Sequence, residues 1–217
     1  MNSSYTLLNL EDWKRKQHFE FYLQYEQPCF NMCIDLDAEI AYHYCRENHI
    51  AFSHAYLYAA MSAANQVENF RYRIAENEVR VYEQVAISVT QLAADETIRF
   101  SDILHSNNFS EFITHAESAK KKAISEDFMT AEFSDNQAVL NTMYMSVIPW
   151  LSFSSFAHAT FAGSPNGIPK IVFGKMRAKD KSLPLSVEVH HSLMDGLQVG
   201  RFVDIIQTML NEPEKHF

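Results

Sequence analysis

Basic residues are in short supply in this chain. Its 217 residues include 18 Lys and Arg against 27 Asp and Glu, a formal charge of −9 with His neutral. Nucleic acid and anionic membrane surfaces ask for the opposite balance, because clustered cations must displace counter-ions from phosphates. Neither is an expected partner; a small phosphorylated ligand held by one or two local cations stays compatible. Long apolar runs are missing too. None approaches the roughly 18 residues that cross a bilayer, and Met1-Asn2-Ser3-Ser4-Tyr5 lacks the basic start and apolar core of a secretory leader. Cysteine is sparse and odd in number: 3, namely Cys29, Cys33 and Cys45, with no CxxC spacing. That excludes a disulfide framework and points to buried, reduced thiols in a cytoplasmic protein. With only 5 Gly and 6 Pro there is no linker-like tract, so residues 1–217 are expected to form a single domain.

What the chain does have is apolar and aromatic bulk. The apolar share is 47% and the aromatic share 13%, with 16 Phe, 10 Tyr and 2 Trp. A chain of this length can bury roughly 70% of its unfolded surface. Residues 19–34 read mostly as extended and aromatic, beginning in His18-Phe19-Glu20-Phe21-Tyr22. Asp35 or Asp37 can cap a helix running to about Glu47, since Asp accepts from the free amides of a first turn. From about Ser53 the stripe Leu57, Met61 and Ala64 has helical spacing. Phe70–Ile74 and Val79–Tyr82 alternate apolar with charged and read as a hairpin across Ala75-Glu76-Asn77-Glu78. Phe109 to about Ser125 is predicted helical, with Lys120-Lys121-Lys122 on a solvated face. Val139–Val147, Ser152–Phe161, Pro169–Met176 and Leu183–His191 read as strands. Leu197–Leu210 reads as a helix with Val199, Phe202, Ile206 and Met209 on one face. Strands and helices without strict alternation predict an α+β fold, a mixed β-sheet with helices packed on one side.

The densest polar cluster inside an apolar stretch is Val189-His190-His191-Ser192-Leu193-Met194-Asp195-Gly196, where a buried-looking strand turns into the last helix. A His there is well placed to accept a proton near neutrality. The same residues also suit a plain turn, with Asp195 capping the helix and the imidazoles packed. A metal site is the weakest reading, since neighbours on a strand point to opposite faces, and no metal is expected.

His190-His191-Ser192-Leu193-Met194-Asp195-Gly196 resembles the HHxxxDG signature of the CoA-dependent acyltransferases. Its flanks, Leu183–Val189 before and Val199-Gly200-Arg201-Phe202 after, resemble the chloramphenicol acetyltransferase branch. The likeness extends to Trp13–Tyr22, to Asn65-Gln66 with Phe70-Arg71 and Ile74, and to Ser146-Val147-Ile148-Pro149-Trp150 with Phe153 and Phe156. These motifs run in family order from about Trp13 to Gln207.

The resemblance implies an acetyl-CoA-dependent O-acetyltransferase with a CoA-dependent acyltransferase-like fold, its acceptor chloramphenicol or a chloramphenicol-like hydroxyl compound. It implies His191 as general base and Ser146 as donor to the oxyanion. Asp195 would be structural, pairing with Arg15 to pin the loop that carries the base. Tyr22, Phe21, Phe100, Phe133 and Trp150 would line the acceptor pocket, and Lys175 would meet coenzyme A phosphates. The family is a homotrimer with active sites between subunits. Two positions depart from its pattern: His158 stands for a pocket leucine, and Val172 for a threonine that helps hold a water near the oxyanion. Swaps in a pocket change substrate before chemistry. Two further functions therefore stand beside chloramphenicol acetylation: O-acetylation of another hydroxylated small molecule, and non-catalytic trimeric binding of hydrophobic drugs.

Overall fold

Two sheets organise the chain in the computed structural model, which describes residues 4–76, 78–128, 139–159 and 166–217. The smaller is antiparallel, with β1 (Tyr5–Leu7), β4 (Glu78–Tyr82) and β3 (Tyr72–Ala75) in the order β1-β4-β3. The predicted hairpin is there, with Ala75 opposite Glu78. Its first arm starts later than expected, because Glu68–Arg71 forms a 3-10 turn that buries Phe70.

The larger sheet has six strands in the order β2-β9-β8-β7-β5-β6. They are β2 (Cys29–Asp37), β5 (Ala86–Leu92), β6 (Ile98–Ile103), β7 (Thr142–Val147), β8 (Lys170–Phe173) and β9 (Ser182–His190). β7 runs parallel to β5 and β8, and the remaining neighbours are antiparallel, so the sheet is mixed. The predicted α+β class holds. Strand periodicity divides this sheet into two chemically distinct faces. Ile87, Val89, Met143, Met145, Ile171, Phe173, Leu185, Val187 and Val189 join the main apolar core. The alternate residues, Ser88, Tyr144, Ser146, Lys170, Ser186 and Glu188, point the other way and are largely polar.

The helices are α1 (Lys16–Tyr22), α2 (Glu39–Glu47), α3 (Phe52–Gln66), α4 (Phe109–Ser125), α5 (Gly196–Asn211) and α6 (Pro213–His216). α2 to α5 pack on the apolar face, whereas α1 buries Phe19 with Tyr72 and Val79 of the small sheet. α3 is buried at Leu57, Met61 and Ala64, as its stripe predicts, and at six further positions. A helix apolar on most sides belongs inside the core. α5 buries Val199, Phe202, Ile206 and Met209, and Phe202 stacks on Phe70 with ring centres 4.3 Å apart. Asp37, not Asp35, serves the start of α2 by accepting from the Glu39 N–H at 3.1 Å. Asp35 instead pairs with Arg177 at 2.5 Å. α4 has the predicted bounds, capped by the Asn108 side chain, with Lys120, Lys121 and Lys122 exposed.

Several expectations are corrected. Residues 16–22 are helical, not extended: only Phe19 of α1 is buried, so the aromatic alternation does not mark a sheet face. No strand forms over the described part of Ser152–Phe161, whose residues 151–159 are irregular. β1, β5 and β6 had no counterpart in the sequence reading. Cys29 and Cys33 are exposed on β2, and only Cys45 is buried. No helix among the described residues is long and apolar enough to cross a membrane.

Arg73 of β3 is wholly buried and has no carboxylate partner among the described residues. Its guanidinium donates to the carbonyls of Leu140 (2.7 Å), Phe70 (2.9 Å), Tyr72 (2.6 Å) and Thr142. Burial pushes its pKa down to about 9. A buried cation must be satisfied this completely to persist, and here it ties the small sheet to the start of β7.

Candidate active site

The turn after β9 is pinned from several sides. The His191 N–H donates to the Pro28 carbonyl at 2.8 Å, and Asn69 Nδ2 donates to the Leu193 carbonyl at 2.9 Å. Gly167 holds φ +78° against this turn, and a Cβ there would run into the Leu193 side chain. Arg15, at the head of α1, supplies the strongest tie. Its Nη2 donates to Asp195 Oδ1 at 3.0 Å and to the His191 carbonyl at 3.0 Å, and its Nη1 pairs with Asp195 Oδ2. A guanidinium fork holding a carboxylate this way fixes orientation as well as charge. Burial alone would raise the Asp195 pKa, but the hydrogen bond and charge of Arg15 outweigh it and hold the carboxyl below its ordinary value. Asp195 also stands at the N-cap of α5, its N–H bonded to Gln198 Oε1 at 2.8 Å. The capping and pinning readings therefore both apply.

His191 stacks on Tyr22, with centroids 3.9 Å apart and planes 12° apart, and its ring lies 4.6 Å from Phe30. Its Nδ1 faces two acceptors, the Met194 carbonyl at 3.3 Å and Asp195 Oδ1 at 3.2 Å. A ring nitrogen with only acceptors around it carries the proton, which leaves the Nε2 lone pair available. The neighbour His190 differs in kind. It is buried, its Nδ1 accepts from the Ser192 N–H at 3.2 Å, and burial, with the adjacent His191 charge, pushes its pKa down to about 4. Its Nε2 has no partner among the described residues.

Ser146 lies elsewhere, on the polar face of the large sheet. Its row runs Ser146–Val172–Ser186–Cys33 across β7, β8, β9 and β2. Two strand spacings and four residues along β9 put its Cα about 16 Å from that of His190. One chain does not bring the expected base and oxyanion donor together. Phe100 faces the same side as Ser146, on β6 opposite Thr90 of β5, with its ring 5.6 Å from Phe128. Trp150 is 60% exposed just past β7, and Phe21 is 53% exposed beside Tyr22 and Tyr25. Phe100 and Phe21 stand on different elements, β6 and α1, and Phe133 lies outside the described residues. Lys175 is exposed two residues beyond β8. Val172 is fully buried on β8.

Sequence reasoning missed Pro28, Asn69 and the pair Lys170–Glu188. Their Nζ–Oε1 distance is 2.8 Å, and Lys170 also donates to the Ala159 carbonyl at 3.0 Å. The available signal was Glu188 itself, a lone charge in an apolar strand that needs a partner. His158 sits against this pair. Burial pushes its pKa down, Glu188 raises it and Lys170 lowers it. A groove of about 590 Å³ opens between α3 and α5, bordered by Asn65, Glu83, His105 and Asp204, and includes none of the expected site residues. A site divided between chains need not form a cavity in one of them.

Comparison with known proteins gives the family. The family model for chloramphenicol acetyltransferase matches residues 1–207. Chloramphenicol acetyltransferase 3 of Escherichia coli is 28% identical over 217 residues, covering 98% of this chain and 100% of the relative. A chloramphenicol acetyltransferase of Staphylococcus aureus is 28% identical over 210 residues, covering 95% and 99%. A solved chloramphenicol acetyltransferase superposes with TM-score 0.87 at 23% identity, over 95% of this chain and 100% of that one. A probable dihydrolipoamide acetyltransferase of Listeria monocytogenes gives TM-score 0.65 at 14% identity, over 97% and 95%. The α+β mixed sheet is that of these acyltransferases, and enzyme stands over non-catalytic binder. A chain matched from end to end, with His191, Asp195 and Arg15 locked around one turn, belongs to the chloramphenicol acetyltransferase family and is an acyltransferase using an acyl-CoA co-substrate.

Proposed function

We propose that this chain is an acetyl-CoA-dependent O-acetyltransferase of chloramphenicol or a similar hydroxylated molecule, working in the cytoplasm as a homotrimer with sites between subunits. One observation carries the reading. His191 is held by Arg15, Asp195 and Tyr22 so that Nδ1 is occupied, while Nε2 has no partner among the described residues. Nε2 takes the proton of the acceptor hydroxyl as its oxygen attacks the thioester carbonyl. The Ser146 hydroxyl donates to the oxyanion that develops there. Collapse breaks the carbon–sulfur bond, and the departing thiolate recovers the proton from the imidazolium. No acyl-enzyme is required.

An oxyanion donor must sit about 3 Å from the developing charge, and the base must reach the attacking oxygen one bond away. The roughly 16 Å between the two strand positions therefore favours a neighbour supplying Ser146 to each His191. In that arrangement Phe100 and Trp150 come from the Ser146 side, Tyr22 and Phe21 flank the base, and Lys175 meets coenzyme A. The test is thiol release from acetyl-CoA with and without chloramphenicol, for wild type and His191→Ala. The expected result is acceptor-dependent release that drops about 10²–10⁴-fold in the variant. Release only with other alcohols, prompted by His158, supports the second acceptor class; release that survives His191→Ala removes the mechanism.

A further inference from the structure

Glu188, Lys170 and Ser146 share the polar face of the large sheet. Glu188 opposes Lys170 across β9 and β8, and Lys170 opposes Tyr144, two residues before Ser146. Strand geometry puts the Lys170 Cα about 8 Å from that of Ser146. The Lys170–Glu188 ion pair is 2.8 Å long, with side chains only 25% and 14% exposed. Such pairs are costly to bury and replaceable by apolar residues, so their presence beside a reacting centre asks for a use. His158 adds a ring on the same cluster, 4.9 Å from Phe156, whose Nε2 is shielded from solvent without a partner among the described residues. Cys29 lies within reach of both charges, at the edge nearest the His190–His191 turn.

These groups have a combined chemistry. The pair cancels its own charge, and burial keeps His158 neutral, so a charged ligand would find no counter-charge. Among the described residues Lys170 uses two of its three N–H groups, on Glu188 and Ala159. An orphan imidazole nitrogen, a spare ammonium proton and a carboxylate therefore offer both donors and acceptors. A hydroxyl, which does both, is the complement; an apolar body would leave them unpaired.

We infer that Lys170, Glu188 and His158 set acceptor selectivity, admitting an uncharged acceptor whose body carries further hydroxyls, as a polyol or glycoside does, over an aryl alcohol with a single hydroxyl. This rests on Ser146 marking the acceptor side of the site. A site built to hydrogen-bond a group rejects analogues lacking it far more strongly than an apolar pocket rejects an added hydroxyl.

The test compares kcat/KM for 4-nitrophenyl glucoside and 4-nitrophenethyl alcohol, with acetyl-CoA and the full-length protein. Wild type is expected to favour the glucoside at least tenfold. His158→Leu and Glu188→Gln are each expected to lower that ratio about tenfold, with circular dichroism reporting that both variants fold. The single changes act at separate points of the cluster, so misfolding of one leaves the other decisive. His191-dependent transfer in which wild type prefers the aryl alcohol, or in which neither folded variant moves the ratio, overturns the inference alone. Absence of transfer to any acceptor, chloramphenicol included, overturns the acetyltransferase reading as well.

Discussion

Ser146 and His191 make different demands on substitution. In the proposed mechanism Ser146 contributes one donor to a transient charge, so Ser146→Ala should lower kcat about 10²–10³-fold with KM little changed. A rise in KM at constant kcat would make it a binding residue instead. His190 acts on stability. Its pKa falls from about 6.5 to about 4 on folding, so between those values the unfolded chain binds the extra proton. Stability is therefore complete above about pH 6.5 and falls as pH drops toward 4, by roughly 3 kcal/mol for a shift of this size. Denaturant titrations of wild type and His190→Gln over this range check it; equal slopes in the two proteins would refute it. The paired histidines and Asp195 were legible because they lie contiguous in an apolar stretch, whereas Arg15 came only from the family resemblance, since 180 positions separate it from Asp195. Lys170–Glu188 and the carbonyl cage of Arg73 were not, because each depends on strand register joining residues far apart.

Helical stripes and caps survived into three dimensions where burial enforces them. α3, α4 and α5 match their predicted spans closely, since an apolar face at 3.6-residue spacing has one place to go. Phe202, buried on α5 against Phe70, should cost about 3–5 kcal/mol as Phe202→Ala, read as a loss of denaturation midpoint. Residues 16–22 and 152–159 failed for a shared reason. Their aromatic alternation imitates a strand, yet aromatic preference for sheets reflects available packing surface rather than backbone; Phe21 is exposed, and Phe153 and Phe156 are only half-buried. α1 matters because it delivers Arg15 to the turn. Asp195→Asn should lower kcat at least tenfold and destabilise by about 1–2 kcal/mol, less than a fully buried pair because Asp195 is 40% exposed. Arg15→Lys keeps the charge but loses the fork, so it should recover stability more than rate. Equal recovery of both would mean that Asp195 needs only a nearby cation.

Across the whole molecule, one sheet face is closed by helices and the other carries Ser146, Lys170 and Glu188. Part of the aromatic excess, which composition assigns to core, stands at the surface in Phe21, Tyr25 and Trp150. On the proposed mechanism a single chain, with His191 and Ser146 far apart, holds half of each of two sites. Light scattering is expected to give a particle of three chains, about three times 25.0 kDa. The most direct measurement of the central claim mixes two inactive variants, His191→Ala and Ser146→Ala, in one co-assembled preparation. If each site takes His191 from one chain and Ser146 from its neighbour, about a quarter of the interfaces in a random equal mixture are intact. Activity should then return to about that fraction of wild type. A mixture no more active than its two components measured apart would contradict the account.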